Sequence, residues 1–318
     1  MVFFYIVLLI GSAFLMAFSG SLLVESLIRL AEAVNWREFV VGFFIMALAT
    51  SAPNLFVGIT SALRGVPELS FGDVVGGNVV DLTLGLALGA LIGGGILAES
   101  RTVQSSAIFT MAITILPLFL SLDGQLGRGD GLVLITMFFL YAFWLFSKEE
   151  RFRKIYDGVE RKGRKYILKS VFLLLLGISF LILGAQGVVK SAFFFADSLG
   201  LSIGIVGLLI VSLGDCLPEI YFTIVSARKN QDWLILGNMM GEVITCATLV
   251  LGTVVLIHPL QIANFSPYIL GRIFLIIATL SFLIFLRTGK KLSRKEGLFL
   301  LAIYIAFLLC EIFLRSRF

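Results

Sequence analysis

Charged residues are scarce in this sequence: aspartate, glutamate, lysine and arginine make up only 14% of its 318 residues. A soluble globular domain carries roughly 25%. Histidine occurs once, at His258, and the three cysteines, Cys216, Cys246 and Cys310, form no CxxC pair. These shortages argue against a histidine-based metal cluster, a Ser-His-Asp triad and a disulfide framework.

Apolar residues form long runs instead, and the mean hydropathy is +1.04. A helix needs about 20 apolar residues to cross the hydrocarbon core of a bilayer. Runs of that length recur along the chain, and they lack the alternation of barrel strands. We therefore predict an all-α membrane protein with ten transmembrane helices. The predicted spans are about 2–30, 38–64, 72–97, 104–122, 129–147, 168–196, 202–227, 233–257, 265–286 and 296–314.

Basic residues collect in alternate loops between these spans, above all in segment 148–167. Because positively charged loops stay on the cytoplasmic side, this segment is predicted to be cytoplasmic and both termini extracytoplasmic. The first run lacks a basic n-region and is too long for a signal-peptide core, so we interpret it as a retained helix. The sequence thus predicts a multi-pass protein of the cell membrane whose partner is the lipid bilayer and not nucleic acid. Its oligomeric state does not follow from the sequence.

An internal repeat appears when the sequence is shifted by 165 residues along itself. The shift places Gly42 on Gly207, Pro53 on Pro218, Gly72 on Gly237 and Gly76 on Gly241. Two merely apolar segments would match in leucine and valine, but they would not match in glycine and proline. Since each half holds an odd number of spans, the second half enters the membrane from the opposite side, and the repeats are inverted.

The repeat predicts the domain organisation. Residues 1–147 form the first five-helix repeat, with its central motif at 42–81. Residues 148–167 form the basic cytoplasmic loop. Residues 168–318 form the second, inverted repeat, with its motif at 207–246.

Two prolines at matched positions, Pro53 and Pro218, are predicted to break the second and seventh spans. A proline inside a helix removes one backbone hydrogen bond. It would release the carbonyl of Ala49 in one half and that of Gly214 in the other. Such carbonyls must be satisfied by protein, water or an ion, and they suit hard cations. A simple kink is the alternative for either proline alone.

Four carboxylates, Asp81, Asp215, Glu219 and Glu242, fall on the segments that would meet at the membrane midplane. Intramembrane carboxylates are costly and indicate a functional site. No lysine or arginine lies inside these spans, so a cation or protons must neutralise them. Asp73, in contrast, is interpreted as a cap at the start of the third span.

These motifs resemble the sodium/calcium exchanger superfamily, whose two α-repeats each carry a G-T-S-L-P-E-like stretch followed by G-N-x-x-G-S-N. The first copy here reads Ala49-Thr-Ser-Ala-Pro-Asn54, then Gly72-Asp-Val-Val-Gly-Gly-Asn-Val-Val-Asp81. The second reads Gly214-Asp-Cys-Leu-Pro-Glu219, then Gly237-Asn-Met-Met-Gly-Glu-Val-Ile-Thr-Cys246. The resemblance covers nearly the whole chain.

The resemblance implies a secondary antiporter, not an enzyme, that exchanges a divalent cation, with calcium the first choice, for sodium ions or protons by alternating access. It implies inorganic cations as partners and no cofactor. Carried over by position, the metal-binding candidates are Thr50, Ser51, Asn54, Asp81, Asp215, Glu219 and Glu242. Gly77, through its backbone, Cys216 and Cys246 occupy further motif positions.

Several residues depart from the family motif. Asn54 stands where the first repeat has glutamate, Asp215 replaces threonine, and Glu242 replaces serine. Relative to the family motif, the site therefore loses one carboxylate at position 54 and gains two, at positions 215 and 242. Such a site could also bind manganese or magnesium in place of calcium. Three other functions also stay open: a membrane-embedded aspartyl protease using Asp81 and Asp215, a passive channel, and a relative that binds ions without transporting them.

Overall fold

A computed structural model describes residues 1–33, 51–99, 101–147, 164–262 and 268–315. Within these residues, nine helices are long and apolar enough to cross a membrane, and a tenth apolar helix, Ala52–Leu63, is shorter. The structure confirms the prediction of an all-α membrane fold. The first part of the second predicted span, 38–64, up to residue 50, and most of the basic loop, 148–167, lie outside the described residues.

The elements follow the chain in this order. The first half contains α1 (Val2–Ala33), α2 (Ala52–Leu63), α3 (Pro67–Val80), a π-helical segment π1 (Asp81–Gly85), α4 (Leu86–Gly93), β1 (Ile96–Leu97), α5 (Arg101–Leu120), a 3-10 turn (Ser121–Asp123), β2 (Gln125–Leu126) and α6 (Arg128–Ser147). The second half contains α7 (Arg164–Leu199), α8 (Ile203–Val206), π2 (Gly207–Val211), α9 (Ser212–Asp215), α10 (Leu217–Arg228), α11 (Asp232–Thr245), π3 (Cys246–Val250), α12 (Leu251–Ile257), β3 (Leu260–Gln261), α13 (Ile269–Gly289), β4 (Lys291–Leu292) and α14 (Arg294–Arg315).

The 165-residue repeat of the sequence is also a repeat of structure. Helix α2 recurs as α10 and helix α3 recurs as α11, each with both ends displaced by that offset. The π-helical segments π1 and π3 recur at the same offset. One pair of residues with positive φ also matches at this offset, Gly65 and Asn230. The repeat predicted from sequence is therefore confirmed in the fold.

The third span begins earlier than predicted, at Pro67 and not near residue 72. Proline suits the first turn of a helix because its fixed φ is helical and the N–H it lacks would have no intrahelical partner there. The helical path ends at Gly93, followed by Gly94 in a left-handed conformation with φ of 78°. Because the helix starts at Pro67, Asp73 lies nearly two turns inside it.

Helix α3 packs backbone to backbone against the segment from α8 to α9. A Cβ atom at Gly72 would lie 1.8 Å from the carbonyl oxygen of Gly204. A Cβ atom at Gly76 would lie 2.1 Å from the carbonyl oxygen of Leu208, and one at Gly207 would lie 2.2 Å from that of Leu69. Glycines on both helices thus allow the broken span of one half to touch the third span of the other.

Helices α1 and α7 pack chiefly against each other. Small residues recur at seven-residue intervals on both: Ser12, Ser19 and Ser26 on α1, and Ser170, Gly177, Gly184 and Ser191 on α7. All are buried. Cβ atoms at Gly177 and Gly184 would clash with Leu23 and Met16 of α1. The two helices therefore pack closely along a contact lined by small side chains.

Two short strand pairs connect the halves. Strand β1 pairs antiparallel with β4, with Ile96 opposite Leu292. Strand β2 pairs antiparallel with β3, with Leu126 opposite Leu260. In each pair one strand comes from each half, and in the predicted topology the two pairs lie at opposite faces of the membrane.

Candidate cation-binding site

The side chain of Glu242 on α11 lies at the centre of a hydrogen-bond network that joins the two halves. Ser51 donates its hydroxyl to Glu242 Oε2 at 2.7 Å, and Asn54 donates its amide to Glu242 Oε1 at 3.3 Å. The Cys246 thiol lies 3.2 Å from the same Oε1 atom. Glu242 is 2% exposed. A carboxylate of the second half is therefore held by the polar motif of the first.

This network lies beside two matched positions, the start of α2 and the break between α9 and α10. Ser51 precedes α2, and Cys216 separates α9 from α10, with nearly identical backbone angles: ψ is −3° at both residues. Prolines follow both positions in the first turn of the next helix. The break predicted from Pro218 is thus present; at Pro53 the structure describes the start of α2, and the residues before Ser51 lie outside the described part of the chain.

The other three predicted carboxyl groups lie close to Glu242. Glu219 is within electrostatic range of Glu242, Asp81 and Asp215. Asp81 and Asp215 each interact with Glu242 in the same way. The Cys216 thiol lies 3.7 Å from the Gly77 carbonyl oxygen and within hydrogen-bonding reach of Asp81. The structure therefore brings together six of the seven predicted residues, and the seventh, Thr50, lies outside the described residues.

Several buried oxygens in this cluster have no hydrogen-bond partner. They are Asp81 Oδ1, Asp215 Oδ2 and Glu219 Oε2. These residues are 1%, 7% and 5% exposed, respectively. A buried polar atom without a partner costs roughly 1–3 kcal/mol, and a buried charge costs more. Unpaired acceptor atoms within one buried cluster of carboxyl groups fit a hard cation as their missing partner.

The acidic side chains do not by themselves make a complete metal site. Within the described residues, no three acidic, cysteine or histidine side chains converge tightly enough to hold a metal ion. Hydroxyl, amide and carbonyl oxygens would have to supply the remaining ligands.

The carbonyl of Gly214, predicted to be freed by Pro218, accepts a backbone N–H at the end of α9. The prediction that Pro218 leaves the Gly214 carbonyl without a backbone partner was therefore wrong. The backbone tightens at the break, so this oxygen accepts one N–H and keeps one lone pair for another ligand.

Asp73 corrects another interpretation. It does not cap a helix, because α3 begins six residues earlier. Asp73 is 2% exposed, and its carboxyl lies within electrostatic range of Asp215, Glu242 and Asp81. Its spacing would have revealed it, since Asp73, Gly77 and Asp81 are four residues apart and share one face of a helix. The cluster thus has a fifth carboxyl that sequence reasoning missed.

The fold and this site define a membrane-embedded cation carrier with inverted repeats. Its candidate binding residues lie beside helix breaks, where transporters with inverted repeats bind their substrates. The family model described as "Sodium/calcium exchanger protein" matches residues 4–147 and 169–313. The chain belongs to this family.

Relatives of similar length support the same assignment. The sodium/calcium exchanger MaX1 of Methanosarcina acetivorans is 25% identical, over 96% of this chain and 97% of the relative. The inner membrane protein YrbG of Escherichia coli is 26% identical, over 95% of this chain and 94% of the relative. A solved structure of the sodium-calcium exchanger NCX_Mj, soaked with Na⁺ and Sr²⁺, superposes with a TM-score of 0.66 at 25% identity. It covers 97% of this chain and 98% of that one.

Proposed function

We propose that the protein is a secondary antiporter that exchanges Ca²⁺ for Na⁺ across the membrane by alternating access. One observation carries the proposal: carboxyl groups from both halves meet in a buried cluster whose acceptor oxygens are open. Residues 67–93, 203–227 and 232–257 contain no lysine or arginine that could neutralise them. A transported cation is the partner that fits. The family and the named relatives support the choice of Ca²⁺ and Na⁺.

Within this proposal, Glu219 and Asp215 bind the divalent ion from the second half. Asp81 and Glu242 bind it from the other side of the cluster, and Ser51, Asn54 and Thr50 supply neutral oxygens. Sodium ions displace it by competing for the same oxygens. The membrane-embedded protease considered above receives no support from the family.

We expect purified protein in liposomes to take up radioactive Ca²⁺ when the lumen is loaded with Na⁺. Glu219→Gln should lower this uptake by about tenfold or more. The variant removes a charge from the site, and a hydrogen bond or contact with a charged group is worth roughly 1.5–3 kcal/mol, against 1.4 kcal/mol for each factor of ten. Uptake is measured after rapid filtration.

Glu99→Gln is the control for this flux experiment, since Glu99 is an exposed carboxyl outside the spans. A second arm replaces the Na⁺ gradient by a proton gradient. If a proton gradient drives Ca²⁺ uptake and a Na⁺ gradient does not, H⁺ and not Na⁺ is the counter-ion. Wild-type transport in the Glu219→Gln variant would show that the site has been assigned to the wrong residues.

The contact between α1 and α7 is the surface along which we propose that access alternates. Gly184→Leu should leave the protein folded and reduce exchange by at least about tenfold, because its side chain would wedge against Met16. A Cβ atom at residue 184 would lie 2.4 Å from the Met16 Cγ atom. The matched control is Ser179→Leu, since Ser179 is exposed on the same helix. Transport is measured in liposomes, and folding by size-exclusion chromatography. Equal transport by the two variants would contradict movement at this contact.

The orientation and the division of the chain belong to the same proposal. Both termini are extracytoplasmic, and segment 148–167, whose last four residues begin α7, is cytoplasmic and separates repeats 1–147 and 168–318. The charge distribution of the loops supports this arrangement. Cysteine-specific labelling of an added terminal cysteine in intact cells would test it.

A further inference from the structure

Cys246 brings a soft ligand into the candidate site. Its side chain is 2% exposed, and its Sγ atom lies 3.2 Å from the Oε1 atom of Glu242, four residues earlier on the same helical path. Residues four apart share one face of a helix, so the thiol and the carboxyl group point into the same network. Thiolate sulfur prefers Zn²⁺ and similar soft cations, whereas carboxylate and carbonyl oxygens suit Ca²⁺ and Mg²⁺. Cys246 therefore bears on which cations the site accepts.

Three polar atoms, two from the second half and one from the first, form a nearly equilateral triangle. Its sides are 3.2 Å from Cys246 Sγ to Glu242 Oε1, 3.1 Å from Cys246 Sγ to Asn54 Nδ2, and 3.3 Å from Asn54 Nδ2 to Glu242 Oε1. Neighbouring sulfur and oxygen ligands of a tetrahedral Zn²⁺ ion lie about 3.4–3.6 Å apart, given their usual distances from the metal. The triangle is therefore close in size to one face of a tetrahedral metal site, slightly contracted by its hydrogen bonds.

The corners of this triangle are held from outside. Ser51 donates its hydroxyl to the other carboxyl oxygen of Glu242, Oε2, at 2.7 Å, which leaves Oε1 directed at the thiol. Asn54 lies in the first turn of α2 and is buried. Outer partners that fix the orientation of a ligand in this way are typical of metal sites.

Asn54 presents nitrogen to the triangle in this structure and presents oxygen when a cation is bound. Its amide carries a donor NH₂ group and an acceptor C=O group on one planar unit. A half-turn of that unit exchanges Nδ2 with Oδ1 and puts an oxygen at the third corner. The two hydrogen bonds from Nδ2 are then replaced by one bond to the ion.

Binding of a divalent cation to this face balances its charges. The S–H bond of Cys246 breaks, its proton leaves to solvent, and the sulfur electron pair forms the bond to the metal. The thiolate and the Glu242 carboxylate then carry two negative charges against the two positive charges of the ion. Ca²⁺ gains less from this face, because it takes about six to eight oxygen ligands and one corner is sulfur.

We propose that Cys246, Glu242 and Asn54 bind a soft divalent cation of the Zn²⁺ and Cd²⁺ class, and that Cys246 makes the site favour this class over Ca²⁺. Water or another oxygen of the cluster completes the tetrahedron. The inference rests on the proposed function, because it names a further substrate class for the same candidate site. The soft cation and Ca²⁺ compete for this site.

The three cysteines of the chain supply both the test variants and their control. Cys246→Ser keeps the size of the side chain and replaces the soft sulfur by a hard oxygen. Cys246→Asp puts a hard carboxylate at the same corner. The matched control is Cys310→Ser, since Cys310 is a partly buried cysteine on α14 outside the site.

The experiment measures binding of Cd²⁺ and, separately, of Ca²⁺ to purified full-length protein in lipid nanodiscs. Calorimetry gives the affinities, and ultraviolet absorption reports the cadmium–thiolate bond. We expect the wild type to show this absorption and to bind Cd²⁺ at least about tenfold more tightly than Ca²⁺. Cys246→Ser should abolish the absorption and lower the ratio of the two affinities by at least about tenfold. Cys246→Asp should shift the ratio further toward Ca²⁺, and Cys310→Ser should keep the wild-type values.

Three results would overturn the role of Cys246. They are a wild type without cadmium–thiolate absorption, a Cys246→Ser variant with the wild-type ratio of affinities, and an absorption that survives in Cys246→Ser and disappears in Cys216→Ser. Thermal unfolding shows whether each variant is folded, and the absorption of the wild type is decisive without any variant. Sodium-driven Ca²⁺ uptake without the absorption would refute this inference alone. The absorption without such uptake would refute the proposed exchange alone.

Discussion

Replacing Glu242 by serine is expected to lower calcium exchange by at least about tenfold, and adding Asn54→Glu to the same protein is expected to restore much of it. The reason is the contact of 3.3 Å between Asn54 Nδ2 and Glu242 Oε1. The exchanger motif that this chain resembles has glutamate at position 54 and serine at position 242. The carboxyl group of Glu242 therefore contacts the residue at the position where the motif has its glutamate.

Asn54→Glu alone should also reduce exchange. It would put a second carboxylate against Glu242, and like charges at this distance inside a protein repel strongly. The double variant removes this repulsion. We therefore expect a double-mutant cycle to show a coupling free energy of about 1–3 kcal/mol, within the range for residues in direct contact.

Ca²⁺ uptake into liposomes, compared at equal amounts of folded protein, measures this coupling. Glu99→Gln combined with Asn54→Glu is the control cycle, because Glu99 lies in an exposed segment away from residue 54. Additive effects in both cycles would mean that Glu242 does not take the place of the missing glutamate. The assignment of Glu242 to the cation site would then lose its main support.

Gly72→Ala is expected to have the largest effect on stability. A methyl group at this position would lie 1.8 Å from the carbonyl oxygen of Gly204 and 2.9 Å from the nitrogen of Leu208, and backbone atoms cannot rotate away. Helix α3 would have to move off π2, at a cost of roughly 1–3 kcal/mol or more. Because α3 carries Asp73 and leads directly into Asp81, transport should fall together with stability.

The matched control for this variant is Gly11→Ala, a glycine in spanning helix α1 with nothing within 4 Å of the added methyl group. Thermal unfolding followed by size-exclusion chromatography gives the midpoints of both variants. Gly11→Ala should match the wild type or exceed it slightly, since alanine favours helix. A Gly72→Ala midpoint equal to that of Gly11→Ala would refute backbone contact between α3 and π2.

The fold could be predicted largely from sequence, because membrane insertion depends on local properties of the chain. The length and apolarity of each run predict a membrane span, and the 165-residue repeat predicts that the second half has the same arrangement of elements as the first. The boundary of α3 could be predicted less well, since a proline beside a polar residue is as typical of a loop as of the first turn of a helix, where Pro67 lies. That one ambiguity concealed the position of Asp73.

The candidate site could be predicted as a set of residues but not as a set of contacts. Carboxylates inside apolar spans are visible in any sequence, and the matched prolines indicate where the helices break. The partner of Glu242 could not be predicted, because Ser51 and Asn54 lie nearly two hundred residues away, in the other half. The spacing of residues along the chain predicts which side chains share one face of a helix. It does not predict which other helix packs against that face. The π-helical segments likewise have no signal in sequence that we recognise.

The two strand pairs limit how this exchanger can open. Each pair joins a connection of one half to a connection of the other, and in the predicted topology one pair lies at each membrane face. If the two halves separated as rigid bodies, opening at either membrane face would break the strand pair at that face, and closing would have to form it again. The two strand pairs therefore hold α2 to α6 and α8 to α14 together at both faces. Helices α1 and α7 chiefly pack against each other and belong to neither strand pair. They are therefore the helices that we propose to move while the others stay in place.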